Sequence, residues 1–150
     1  MAINTIHDTF SYGVIYIYSI PDKTHEGRLK IGSATLNTTN TSQENIDAAA
    51  HLRIKQQTKT ADIPYKLEHA ELAVTNNGKY FSDETVHKIL MRSGYKRKSE
   101  NTKNDHSEWF EINLEVAKKS VLAAKEMRTA LTSAEKNSNY IEEFSFRPNQ

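Results

Sequence analysis

Gly13-Val14-Ile15-Tyr16-Ile17-Tyr18, followed after one loop by Leu29-Lys30-Ile31-Gly32, is the stretch whose reading decides the fold. The first segment alternates strictly, with Val14, Tyr16 and Tyr18 on one face and Ile15 and Ile17 on the other. The second puts Leu29 and Ile31 on one face and Arg28, Lys30 and Gly32 on the other. Between them, Pro21-Asp22 and Gly27 are turn formers, so an antiparallel hairpin is the natural connection. Such a hairpin buries its isoleucines and leucine on one side. The expected other side carries two tyrosines beside a lysine, and hydroxyls next to a cation on a rigid sheet can handle a phosphate.

Outward from the hairpin, Thr41-Ser42-Gln43-Glu44 has the form of a capping box, with Thr41 as N-cap. A helix is expected from there to about Thr58. Ile46, Ala50 and Ile54 form its apolar stripe. Arg53 projects about 20° from Ile46 by helical geometry. An arginine so close to a buried stripe either snorkels at its edge or reaches into a cleft. A strand over about Tyr65 to Val74 follows, then a turn at Asn76-Asn77-Gly78. A second helix starts after Ser82 and stops before Gly94, with Val86, Ile89, Leu90 and Ser93 facing inward. Asp83 lies about 60° from Val86 and Glu84 about 160° away, so Asp83 points near the core and Glu84 to solvent. His87 is one turn from Asp83.

Residues 96–107 are polar and aperiodic and read as a surface loop. Lys96, Arg97 and Lys98 open it as the densest basic cluster in the chain, a plausible contact for a DNA backbone. Glu108-Trp109-Phe110-Glu111-Ile112 reads as a short strand with two core aromatics. Asn113 caps a further helix expected to run to about Leu131.

These elements in this order resemble the GIY-YIG nuclease superfamily. Gly13-Val14-Ile15-Tyr16 is its first half-motif. Lys30-Ile31-Gly32 is the second, with lysine in place of the usual tyrosine, as in the phage-type branch. Phe81-Ser82-Asp83 with Val86-His87, and later Glu108-Trp109-Phe110, resemble a recurrent block of that branch. The resemblance implies a small three-stranded antiparallel sheet flanked by helices, an α+β fold. It implies a metal-dependent DNA endonuclease in which Tyr16 takes a proton from water, with Lys30 beside it. Arg53 would hold the scissile phosphate and His87 would assist. Asp83, or as second choice Glu84, would bind Mg²⁺ (or Mn²⁺). Tyr18 would assist or pack, and Glu108 would support the site. The alternative is a catalytically inactive DNA-binding or interaction module derived from the same fold.

The chain has 150 residues, enough for one domain with a modest core. The expected division is a nuclease domain over 1–112, a helix over 113–132 packed on or extending it, and a linker and tail over 133–150. Mean hydropathy is -0.71, no run is long and apolar enough for a membrane helix, and no signal peptide is visible. Cysteine is absent, which excludes disulfide scaffolds and thiolate metal sites and fits a cytoplasmic setting. The net charge of +1 makes no case for nucleic acid, so DNA affinity must come from a local patch. Phe144-Ser145-Phe146-Arg147-Pro148-Asn149-Gln150 resembles the entry to a superfamily-two helicase motor. That implies a covalently linked helicase or ATPase region in a longer protein. No phosphate loop occurs here, so ATP hydrolysis is not expected of these residues.

Overall fold

The computed structural model describes residues 12–58, 63–98 and 109–137. The elements run β1 (Tyr12–Ser19), β2 (Leu29–Leu36), α1 (Gln43–Thr58), β3 (Lys66–Leu72), α2 (Asp83–Arg92), β4 (Arg97–Lys98), β5 (Trp109–Phe110), α3 (Leu114–Lys125) and α4 (Ser133–Lys136). The hairpin forms as its alternation requires, with Tyr16 opposite Gly32, Ile17 opposite Ile31 and Tyr18 opposite Lys30. β3 adds antiparallel to the other side of β1. The sheet has five antiparallel strands in the order β3-β1-β2-β5-β4, two more than expected. The extra pairing joins Arg97–Lys98, the start of the expected loop, to Trp109–Phe110. Local sequence gives no alternation there, because the partner strand supplies the order.

Both faces of the sheet are buried, which corrects the expectation of an open tyrosine face. Ile15, Ile17, Leu29 and Ile31 pack with Val86, Ile89 and Leu90 of α2 and with Val116, Ala117 and Val121 of α3. Val14, Tyr16 and Tyr18 pack under Ile46, Ala50 and Ile54 of α1. The apolar stripe of α1 has to be covered, and the tyrosine rings are the apolar surface within reach. The two residues of β5 divide between these cores. Trp109 meets Tyr18 edge-on at 5.8 Å, and Phe110 meets His87 at 5.5 Å.

The caps show where local rules held. Ser82 accepts from the Glu84 N–H and starts α2, and Gly94 at φ 102° ends that region. Asn113 accepts from the Val116 N–H and starts α3. The first helix starts one residue later than expected: the Ser42 hydroxyl, not Thr41, accepts from the Asn45 N–H. The helix expected to reach Leu131 stops at Lys125, because Met127 turns left-handed at φ 59° and Arg128 N–H bonds back to the Ala123 carbonyl. Leu131 then folds back, its N–H donating to the Ser93 hydroxyl at 2.8 Å. Part of the expected linker forms α4, with Thr132 and Glu135 as a reciprocal capping box.

Gly32 is required by packing rather than by backbone conformation. A Cβ there would lie 2.5 Å from both Cζ and Oη of Tyr16, whose ring is covered from above by α1. Gly32→Ala is therefore expected to cost ~1–3 kcal/mol of stability by overpacking. In the Tyr16→Ala background the same change should cost much less, because the obstructing ring is gone. Urea denaturation of the four proteins of this cycle checks it, and additive costs would show that the ring does not confine Gly32.

Candidate active site

The site is built on a strand edge that is only partly covered. β5 pairs with β2 at Leu29 and Lys30 and goes no further. Beyond Lys30, the outer edge of β2 has no strand partner among the described residues. At the start of this open stretch, His87 Nε2 lies 2.9 Å from the Ile31 carbonyl oxygen. A carbonyl only accepts, so Nε2 carries the proton and donates. Nδ1 is then a buried lone pair with no hydrogen-bond partner among the described residues, and Glu84 Oε2 stands 3.7 Å away. Burial, the largest influence, holds the His87 imidazole below its ordinary pKa. His87 is 0% exposed, so it supports the strand edge and does not face solvent.

Two positions along, Ser33 locks Asp83 in place. The Asp83 N–H donates to the Ser33 hydroxyl at 2.6 Å, and that hydroxyl donates to Asp83 Oδ1 at 2.9 Å. Oδ2 is not held this way and lies 4.0 Å from His87 Nε2. Asp83 is 18% exposed, whereas Glu84 is 55% exposed, the ordering expected from helical geometry. Glu84 also meets Arg97 at 3.6 Å.

Arg53 approaches the same strand from the opposite layer. With Leu52 and Gln56 of α1, it lines a cavity of about 350 Å³ whose other wall is Ser33, Ala34, Thr35 and Asn37. Arg53 is exposed and has no ion pair among the described residues. The strand thus has a cation on one bank and a hydroxyl-bound carboxylate on the other. A larger cavity of about 520 Å³ lies under the β1–β2 loop, lined by Asp22, His25, Arg28 and Asn113 among others. It contains none of the residues that the sequence marked as a site.

Tyr16 and Lys30 lie on the α1 side of the sheet. Tyr16 is 0% exposed, and its hydroxyl donates to Gln57 Oε1 at 3.1 Å. Gln57 is one helical turn from Arg53, so the tyrosine reaches the arginine's bank through α1. Lys30 is half-buried, and its ammonium lies 5.9 Å from the centre of the Tyr18 ring. Its ring contact is therefore with Tyr18, two residues along β1 from Tyr16. Tyr18 itself is packed between Tyr65 and Trp109. Of the basic cluster, Lys96 is exposed and Arg97 is engaged by Glu84. Lys98 is paired in β4. Glu108 and the helicase-like ending at 144–150 lie outside the described residues.

Three positions were missed in the sequence. Ser33 directly follows the Lys30-Ile31-Gly32 motif, and its alternation places it with Ile31 on the Asp83 side. Gln57 follows Arg53 by four residues. Thr35 extends β2 past the point where the apolar alternation ends. The available signal was spacing alone, and the partners are 50 and 41 residues away.

The family that this α+β domain matches places it in the class of nuclease-like or DNA-interacting domains. Residues 13–125 match the model of the T5orf172 domain, and the chain belongs to that family, a phage-associated one found in nuclease-related contexts. No curated protein and no solved structure matches the chain. Among the described residues, no helix is long and apolar enough to cross a membrane.

The buried His87 has a consequence for stability. Its pKa is lower folded than unfolded, so the unfolded chain binds its proton more readily. Its contribution to stability is complete above the unfolded value, ~6.5, and is lost as pH falls through the folded value. The stability difference between wild type and His87→Gln is expected to shrink from about pH 8 to about pH 5. Urea denaturation at the two pH values in EDTA measures it; a difference that grows on acidification would mean that the imidazole is charged in the folded protein.

Proposed function

We propose that this domain is a GIY-YIG-type, metal-dependent DNA endonuclease. The observation that carries the reading is Ser33, which lines the Arg53 cavity and also holds Asp83, on the strand that runs out from Gly32. Phosphodiester hydrolysis needs a cation on the phosphoryl oxygens, an activated water and help for the leaving oxygen. Arg53 has no competing carboxylate among the described residues, so its guanidinium is available to a phosphate. Ser33 fixes one oxygen of Asp83, and the partly exposed carboxylate keeps its other oxygen outside that bond.

A single carboxylate fits Mg²⁺ or Mn²⁺. Such a cation keeps most of its waters and takes its remaining ligands from substrate phosphate. No group of three or more His, Cys, Asp or Glu side chains gathers among the described residues, so affinity without DNA should be weak. When bound, the metal supplies charge neutralisation at the departing oxygen. His87 keeps the edge of β2 straight beneath this site by holding the Ile31 carbonyl. Lys30 adds positive potential on the tyrosine side.

Tyr16 is the water-activating group of this reading, and its burial sets a condition. To take a proton from water, the phenol must first release its bond to the exposed Gln57 side chain. The hydroxyl's present bond to Gln57 is also what favours the second reading, a DNA-binding module without catalysis. The two readings separate on Gln57→Ala. If Tyr16 activates water, Gln57→Ala keeps or raises the nicking rate, and Tyr16→Phe removes it.

Supercoiled plasmid nicking with Mg²⁺, and then with EDTA, tests the reaction. Arg53→Ala and Asp83→Asn are each expected to lower the rate by about 10²–10³-fold. Stability should move by less than ~0.5 kcal/mol for the exposed Arg53. Glu84→Gln, which points away from Ser33, should keep most of the rate. Wild-type activity in both carboxylate variants would remove the metal assignment, and an inactive wild type that still binds plasmid would favour the non-catalytic module.

A further inference from the structure

We propose that Tyr80, backed by Tyr12, is a stacking platform for an unpaired nucleobase beside the scissile phosphate. This makes DNA with a single-stranded segment at the cleft the preferred substrate over continuous duplex. The inference rests on the endonuclease reading and refines its substrate.

Tyr80 is 44% exposed, so a large part of its ring is open to solvent. It is nevertheless held in place. Its backbone bridges to Val74 around the tight turn closed by the Thr75 N–H and the Lys79 carbonyl. Its ring lies against Gly13, where an added Cβ would come within 3.2 Å of the Tyr80 Cδ1. The Tyr12 ring supports it at 5.7 Å between centres, tilted by only 31°. A ring fixed on one side by a glycine and a second ring, and open on the other, is preorganised for one more stacking partner.

Its position selects the partner. Gly13 pairs with Thr35, and Thr35 lines the Arg53 cavity. The strand that backs the ring is therefore the direct neighbour of the strand that forms that wall. Tyr80 is also three residues before Asp83 in the chain, on the same bank as the Ser33–Asp83 unit. A strand whose phosphate sits between Arg53 and Asp83 brings a neighbouring base to this ring. In continuous duplex both faces of that base are covered by its neighbours. Only an unpaired or end base offers a free face, and stacking is indifferent to base identity. Burial and the nearby Tyr12 hydroxyl raise the Tyr80 pKa, so the phenol is neutral and does not repel the backbone.

The test uses the full chain in EDTA and fluorescence anisotropy with two labelled probes of equal length, a continuous duplex and a gapped duplex. Wild type should bind the gapped probe more tightly. Tyr80→Ala should lose about 5- to 150-fold on the gapped probe and little on the duplex. Tyr80→Phe and Tyr80→Trp should keep the preference. Tyr80→Leu, which still covers Gly13 but has no π face, should lose it, and this guards against a folding defect in the alanine variant. A 2-aminopurine in the gap should be quenched by wild type and not by Tyr80→Leu. Equal binding of the two probes by a wild type that nicks plasmid overturns the platform and leaves the endonuclease reading standing. Equal loss on both probes, or loss in Tyr80→Phe, also overturns it. A wild type that neither binds nor nicks DNA overturns both.

Discussion

The rest of the structure depends on the Tyr16 ring lying against Gly32. The ring fills the space that any side chain at position 32 would need. That contact fixes the register of the hairpin, since a slip of one residue would put Ile31 or Ser33 under the ring and turn every side chain of β2 over. It also presents the ring to α1, which supplies Ile46, Ala50 and Ile54 as its roof. With α1 seated there, Arg53 reaches the strand edge just past Gly32. A packing requirement between two residues of the hairpin thus decides where Arg53 stands.

The second constraint is the shortness of β5. It covers β2 at two residues and leaves the following stretch of edge without a strand. An open edge is a liability in a folded protein, because its backbone groups remain available for pairing. Here the edge is managed by side chains instead. His87 takes the Ile31 carbonyl, and Ser33 is tied to Asp83 at the start of α2. The strip of β2 that follows, from Ser33 to Thr35, lines a cavity with Arg53.

The aromatic residues divide between support and surface. Tyr18 and Trp109 are interior groups, and their mutual edge-on contact closes the core on the α1 side. Tyr12 opens β1 at its other end, where its ring lies against the exposed Tyr80. Composition cannot distinguish the two sets, because the burial of a tyrosine depends on what lies across from it.

Much of the fold was legible in the sequence. Alternation over residues 13–18 and 29–32 determined the hairpin and which residues share a face. Ser82, Gly94 and Asn113 marked helix ends correctly, because capping is a local hydrogen-bond preference. Helical spacing separated the inward Asp83 from the outward Glu84. Tertiary structure alone decided the rest. The burial of the tyrosine face came from α1, and Arg97–Lys98 became a strand only because β5 was there to pair with it. Gln57 covered the Tyr16 hydroxyl from 41 residues away. Ser33 and Asp83 met across 50 residues. Local sequence determines backbone conformation and the direction of each side chain, since those follow from the chain's own dihedrals and spacing. Which groups then touch depends on how layers stack, and that is set by the burial of whole faces rather than by any single stretch of sequence.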